Sequence, residues 1–366
     1  MNKKKFIFKA KPYTNYKVII KSDKNNFIKI SFDGDPHFGS IDVCNKEIYE
    51  INYYNDKSRI LIVVIEYSHP SFKIMVNEEP IQIKQIYMND LFKLTFWNEM
   101  QKSYGLASYN NDYEPAIFYG LMTDNDVAVL EKNKSLKVII WVGGDINYLI
   151  NRTEHVSKSI KARIDRILKI PKIKHISISS FISKNLTQLS VPFKMVPFMG
   201  IDFSYYKPVP KGPCIYLYTY PCSEEYYGKD LYMRLIEKYK NIKFIATCCS
   251  LAYKNIKNNP KANPLGIKYY TKQQLIKKVY PQCFVGLRLT NHDGLSATVQ
   301  ELGLMGIKCI HNGCSPSALN YNSFEDICNH IDSEYKKINE VDYALALKVK
   351  EYLTISPDFF NTKFHQ

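Results

Sequence analysis

The residues from His292 to Gly306, HDGLSATVQELGLMG, set one carboxylate, Asp293, eight positions ahead of another, Glu301, with Gly294 and a short polar run between them. The apolar segment CFVGLRL in front of them reads as a buried strand, and Gly294 permits a tight turn into a helix. A helix opening there leaves the backbone N–H groups of Leu295, Ser296 and Ala297 unsatisfied, with the positive end of the helix dipole behind them. Such a terminus binds phosphate. A carboxylate beside it repels phosphate but accepts hydrogen bonds from neutral hydroxyls. Acid, helix start and acid therefore match a diphosphate flanked by a ribose diol and a sugar ring. A plainer reading fits the same letters: a capping box from Thr298 to Glu301, in which the glutamate only satisfies backbone.

The elements that must position this stretch are legible around it. From Met1 to about Tyr87, segments such as YKVIIKS, FIKISF, RILIVVIEY and FKIMV alternate in polarity between turns such as DGDP and NEEP. That pattern predicts antiparallel strands in a small β-sandwich whose aromatic residues are core. From Met88 onward, continuous apolar runs (AIFYGL, LKVIIWVGG, HISISSF) alternate with helical segments (NDVAVLEKN, SKSIKARIDRILKI), as a parallel sheet covered on both faces requires. The stretch Met195 to Gly212, MVPFMGIDFSYYKPVPKG, reads as a linker, after which the α/β pattern restarts. The expected organisation is a β-rich module over 1–87, α/β domains over 88–205 and 206–338, and a C-terminal helix and tail over 339–366 docking back on the first α/β domain. Two such domains in series imply a cleft, with ligands at the carboxyl ends of strands.

Bulk properties bound the remaining classes. A chain of 366 residues that is 45% hydrophobic can build several cores. It has no run near the roughly twenty apolar residues that span a bilayer, and MNKKKFIFKAKPYTNYK lacks the apolar region of a signal peptide, so a soluble cytoplasmic protein is expected. Nine cysteines without a CxxC pair predict free thiols, and eight histidines without ligand spacing predict no metal site. The net charge of +15 draws phosphorylated small molecules, nucleic acid or an anionic membrane surface. Dispersed lysines and the lack of an arginine-rich helix argue against specific nucleic-acid binding. A peripheral contact with an anionic membrane stays open.

The stretch DGLSATVQELGLMGIKCI, Asp293 to Ile310, is similar to the EGFGxxxxEAMAxGxPVI motif of GT-B glycosyltransferases of the large retaining class called family four, with Asp293 in place of the first glutamate. Upstream, VPFMGIDFSYYKP, Val196 to Pro208, resembles that class's VPNGVDxxxFxP hinge, and HISISSFISKNLTQL resembles the strand and helix before it. The resemblance spans roughly Pro115 to Leu353 and leaves the β-rich module outside it. It implies two Rossmann-like domains facing a cleft and retaining transfer of a sugar from a nucleotide diphosphate to a hydroxyl of a glycan or glycoconjugate, without a metal or other cofactor. Glu301 is then expected to hold the ribose and Asp293 to orient the sugar. The class carries an arginine and a lysine after the first strand of its second domain; here LYTYPCSEEYYGKD puts Tyr220 near the arginine position and Lys229 beside the lysine position. The missing charge is expected from Arg288, at the end of CFVGLRL, which with Lys229 and the helix start would stabilise the departing diphosphate.

In the first α/β domain, WVGGDIN places Gly143, Gly144 and Asp145 at a strand end, where two glycines let backbone approach a ligand and Asp145 either contacts a sugar or caps a turn. Two rival functions remain. Asp124 and Asp126 form the DxD signature of a metal-dependent GT-A transferase, although Asp124 also stands where a helix cap belongs. The departures at Asp293 and Tyr220 also suit a carbohydrate-binding protein without catalysis.

Overall fold

The computed structural model of the chain describes residues 2–10, 14–22, 27–33, 40–44, 48–55, 59–68, 72–79, 81–147, 154–220, 224–248, 265–356 and 359. The N-terminal module contains β1 (Asn2–Ala10), β2 (Thr14–Ser22), β3 (Phe27–Asp33), β4 (Ser40–Cys44), β5 (Ile48–Asn55), β6 (Arg59–Tyr67) and β7 (Phe72–Glu79). They pair antiparallel in two sheets, β1-β6-β3-β4 and β5-β2-β7. Alternation places Tyr16, Val18 and Ile20 of β2 with Ile28, Ile30 and Phe32 of β3 and Val63 and Ile65 of β6 in one core, with Phe32 stacked on Tyr53. The expected sandwich is the one observed.

Two six-stranded sheets follow. The first has the order β13-β12-β11-β10-β8-β9, from β8 (Gln85–Met88), β9 (Ala107–Ser108), β10 (Ala116–Tyr119), β11 (Lys137–Trp141), β12 (Ile173–Ser177) and β13 (Phe193–Met195). The second has the order β16-β15-β14-β17-β18-β19, from β14 (Cys214–Tyr218), β15 (Phe244–Cys248), β16 (Lys268–Tyr269), β17 (Cys283–Leu287), β18 (Lys308–Ile310) and β19 (Ala318–Leu319). Its neighbouring strands all run parallel. The central strands β10, β11 and β17 are buried along their whole length, which explains their uninterrupted apolar sequences. A small antiparallel module followed by two parallel α/β sheets is the expected fold class.

Some boundaries differ from the sequence pattern. The chain divides into two compact units, one of Met1–Ile176 with Val191–Lys194 and Ile355–Gln366, the other of Ser177–Ser190 with Met195–Thr354. Gln85–Tyr87, assigned above to the β-rich module, belong to β8, which pairs parallel with β10 because its side chains, like those of its partner, are almost all buried. The proline-rich stretch read as a linker is packed: Phe198, Met199, Ile201 and Tyr206 are buried in the second unit. The helix Tyr343–Leu353, expected on the first α/β domain, packs instead on the helix Ala297–Leu304 of the second unit, with Val349 against Gly303. Its apolar face finds its partner within the same unit. Among the described residues no helix is long and apolar enough to cross a membrane.

Candidate functional site

In the second sheet the chain winds from β14 outward to β15 and β16, then returns so that β17 pairs with β14 on its other side. Such a reversal opens a crevice at the carboxyl ends of the two inner strands, where doubly wound folds bind ligands. Tyr218 ends β14, Arg288 directly follows β17 and His311 directly follows β18. Arg288 and His311 converge on Asp293, and the Tyr218 ring packs against Arg288. Arg288 donates through Nε and Nη2 to the two carboxylate oxygens, with Nη2–Oδ1 at 3.0 Å. The guanidinium carbon lies 4.2 Å from the centre of the Tyr218 ring and 5.3 Å from that of Tyr227. The Gly294 amide donates to Asp293 Oδ1 at 2.9 Å, and His311 Nε2 lies 4.0 Å from Oδ2. His311 Nδ1 is 3.1 Å from the Arg288 carbonyl; a carbonyl only accepts, so Nδ1 carries the proton.

The electrostatics follow from burial and pairing. Burial alone raises the Asp293 carboxyl, but the Arg288 guanidinium and the Gly294 amide outweigh it and hold the group below the usual carboxylate range. Burial likewise opposes the Arg288 charge, and Asp293 more than restores it. Burial pushes His311 down, which favours the neutral ring. Among the described residues nothing else accepts from Arg288 Nη1, so one edge of a fixed cation is left for a ligand.

The loop carrying Asp293 is pinned through its carbonyls. Ser179 donates to the Asp293 carbonyl at 3.2 Å, Thr290 to the His292 carbonyl at 2.9 Å, and Tyr226 also to the His292 carbonyl. His292 Nε2 sits 3.1 Å from Asn185 Oδ1. The helix Ala297–Leu304 then opens with Ser296 as its cap, the Ser296 hydroxyl accepting from the Val299 amide at 3.5 Å. Gly294 and Leu295 therefore lie in the approach to the helix, and Ala297 is its first residue.

Because Ser296 is the cap, the capping box suggested for Thr298 and Glu301 does not form. Glu301 is nearly buried, at 6% exposure, and its oxygens accept from Tyr206 at 3.0 Å and Tyr280 at 2.9 Å. Lys272 forms an ion pair with it at 3.5 Å. Tyr216 packs edge-on against Tyr280 and bonds to Thr247 at 2.6 Å.

The remaining sequence candidates are held by local partners of their own. Lys229 opens the helix Lys229–Lys238, and Gly228, at φ 78°, lets that helix start close to β17: a Cβ there would come within 2.8 Å of the Leu289 carbonyl. Its ammonium is tied to Glu225 at 3.2 Å. Gly143, Gly144 and Asp145 belong to the first unit, where Gly143 turns at φ 117° and Asp145 is buried, accepting from the Val142 amide at 3.1 Å and the Gly143 amide at 3.0 Å. Burial raises the Asp145 carboxyl to about 6 against these bonds. Asp126 is the third residue of a capping box with Thr123 and also accepts from Tyr87 at 2.6 Å and Asn89 at 2.8 Å, while Asp124 is exposed near Arg166. Among the described residues no group of three His, Cys, Asp or Glu side chains could hold a metal ion.

Tyr218, Tyr227, His311, Tyr206, Tyr280 and Lys272 are site residues that the sequence pattern does not single out. The tyrosines are hidden among 29 in the chain. Position supplies the usable signal, since Tyr218 ends its strand and His311 and Lys272 follow within three residues of theirs.

No family model matches the chain. No curated protein matches it in sequence. Among solved structures it is similar to sucrose-phosphate synthase from Thermosynechococcus elongatus, with a TM-score of 0.49 and 9% identity over 70% of this chain and 72% of that one. It is also similar to TarM from S. aureus, in a complex with fondaparinux, alpha-GlcNAc-glycerol and UDP, with a TM-score of 0.43 and 12% identity over 94% and 74%. The catalytic domain of starch synthase IV from Arabidopsis thaliana bound to ADP and acarbose gives a TM-score of 0.39 and 10% identity over 93% and 85%.

Proposed function

We propose that the chain is a GT-B-type glycosyltransferase that binds a nucleotide-diphosphate sugar at the winding reversal of its second sheet and passes the sugar, with retention, to a hydroxyl of a glycan or glycoconjugate. The observation that carries this reading is Arg288: a cation fixed by Asp293 and two aromatic rings, at the carboxyl edge of the sheet, with Nη1 donors still open. Charge builds on the diphosphate as the sugar leaves with oxocarbenium character. Donors already in place and partly removed from water stabilise that charge without reorganising. Arg288 supplies them together with the amides of Leu295, Ser296 and Ala297, and in this role it replaces the arginine that Tyr220 displaces.

Asp293 holds Arg288 and, with His311 beside it, offers acceptors to sugar hydroxyls. Glu301 stands on the ribose side. Lys229 is a second cation for the diphosphate, since its pairing with Glu225 is exposed and weak enough to exchange. In the first unit the Gly143–Gly144 turn is a candidate acceptor contact, with Asp145 holding the turn. A metal is not needed, because Arg288 and the helix start supply the positive charge; Asp126 serves as a helix cap with several donors already on it.

The test is incubation of the protein with a panel of nucleotide sugars and glycan acceptors, reading nucleoside diphosphate release and glycosylated product. Release from one donor, unchanged in excess EDTA, is expected. An absolute requirement for manganese would restore the DxD reading. A second reading, carbohydrate or nucleotide-sugar binding without turnover, is favoured by the commitment of Asp293 to Arg288. Its signature is donor binding with neither transfer nor hydrolysis.

A further inference from the structure

Glu301 is held by donors from three separate parts of the second unit. Tyr206 comes from the packed stretch before β14, Lys272 from the helical turn after β16, and Tyr280 from the segment before β17. Their exposures differ in a way that assigns their roles. Tyr280 is fully buried, Glu301 is 6% and Tyr206 7% exposed, whereas the Lys272 side chain is 28% exposed. The carboxylate is therefore the anchor of the set, and the group it presents outward is the Lys272 ammonium. That ammonium also lies 6.0 Å from the centre of the Tyr206 ring, so its position is set by a charge and an aromatic face together.

An ammonium donates hydrogen bonds and accepts none, so it recognises ligand oxygens. Lys272 follows the carboxyl end of β16, on the same edge of the parallel sheet as Arg288 after β17. Glu301 lies four residues beyond Ala297, about 6 Å along the helix from the start proposed above to face the diphosphate. The next group along a nucleoside diphosphate from that point is its ribose. Resting on the function proposed above, we infer that Lys272 is the ribose-recognition residue of this site: its ammonium donates to the 2′- or 3′-hydroxyl oxygen, and Glu301 is a positioning residue that acts through it.

The experiment compares affinities of uridine, guanosine and adenosine diphosphates with those of their 2′-deoxy and 3′-deoxy forms by calorimetry. The proteins are the wild type, Lys272→Met, Lys272→Gln and Lys272→Arg. A donor that loses its acceptor is left unsatisfied, so the wild type should prefer the ribonucleotide by about tenfold or more over at least one deoxy form. Both neutral variants should bring that ratio close to one while keeping the affinity for the deoxy form, and Lys272→Arg should restore part of it. Neutral variants that keep the wild-type ratio, with wild-type thermal midpoints, would overturn the role of Lys272 while leaving the nucleotide site standing. A wild type that binds none of the diphosphates would instead overturn the site itself, and this inference with it.

Discussion

The second unit contains two buried ion pairs that resemble each other on paper and differ in everything that bears on function. Lys211 and Glu334 are 1% and 2% exposed and joined at 2.7 Å; Lys337 at 2.6 Å and Lys308 at 3.6 Å add to the same carboxylate. The Lys211 backbone is tied to Glu340 and Asn339, so the cluster staples the packed stretch before β14 to the end of the helix Phe324–Tyr335. The Arg288–Asp293 pair, by contrast, stands at the carboxyl ends of parallel strands, between two tyrosine rings, with donors still open. Burial and charge alone therefore do not mark a functional site. Position on the sheet and unsatisfied donor capacity separate the pair proposed to bind a ligand from the structural one.

The largest expected effect breaks the structural side of this comparison. Glu334→Ala leaves Lys211 buried without its partner and should cost about 3–5 kcal/mol in urea unfolding, with nucleotide affinity of the folded protein unchanged. Replacing both residues, Lys211→Met with Glu334→Leu, should recover most of that loss, because two apolar groups leave no charge unpaired. On the other side, Arg288→Ala strands Asp293 in the same manner and should cost about 2–4 kcal/mol, a loss that Arg288→Ala with Asp293→Ala largely removes. If the double variant is no more stable than the single one, the two side chains do not depend on each other as described.

Smaller effects lie in pH dependence. Burial raises the Glu334 carboxyl, but Lys211 and Lys337 overcome it and hold the group below its ordinary value of 4.5; Asp293 likewise lies below 3.8. A depressed folded value means stability that is present above the unfolded value and lost as pH falls through the folded one. Glu334→Gln should therefore flatten the fall in stability below about pH 4.5 seen in acid titration of the wild type. Asp145 has the opposite sign. Its carboxyl is raised from 3.8 to about 6, so its contribution is full below 3.8 and is lost as pH rises through about 6. Asp145→Asn should remove that slope between pH 4 and 6, a change confined to the first unit.

The fold was legible in the sequence because its strands carry their environment in their letters. AIFY and CFVGL are apolar throughout because both faces of a parallel sheet are covered, and YKVIIKS alternates because one face of a sandwich is not. Arg288 and Asp293 were legible for a related reason, since a charged residue at the end of such a strand has few places to go but the carboxyl edge. Their pairing was not, because a bidentate contact five residues apart depends on the turn at Gly294 rather than on spacing. Glu301 was visible by spacing, yet the hydroxyls that cage it come from Tyr206 and Tyr280, distant in the chain and unmarked by any period. The helix Tyr343–Leu353 shows the same limit: its apolar face was plain, but not which of the two α/β units would cover it.

The most direct test of the central claim is calorimetric titration of the nucleoside diphosphate preferred by the wild type into the stability-matched variant carrying both Arg288→Ala and Asp293→Ala. If Arg288 grips the diphosphate at the winding reversal, the dissociation constant should rise at least about tenfold, with the thermal midpoint close to that of the wild type. An unchanged dissociation constant would contradict the account, because the phosphates would then be held by other groups.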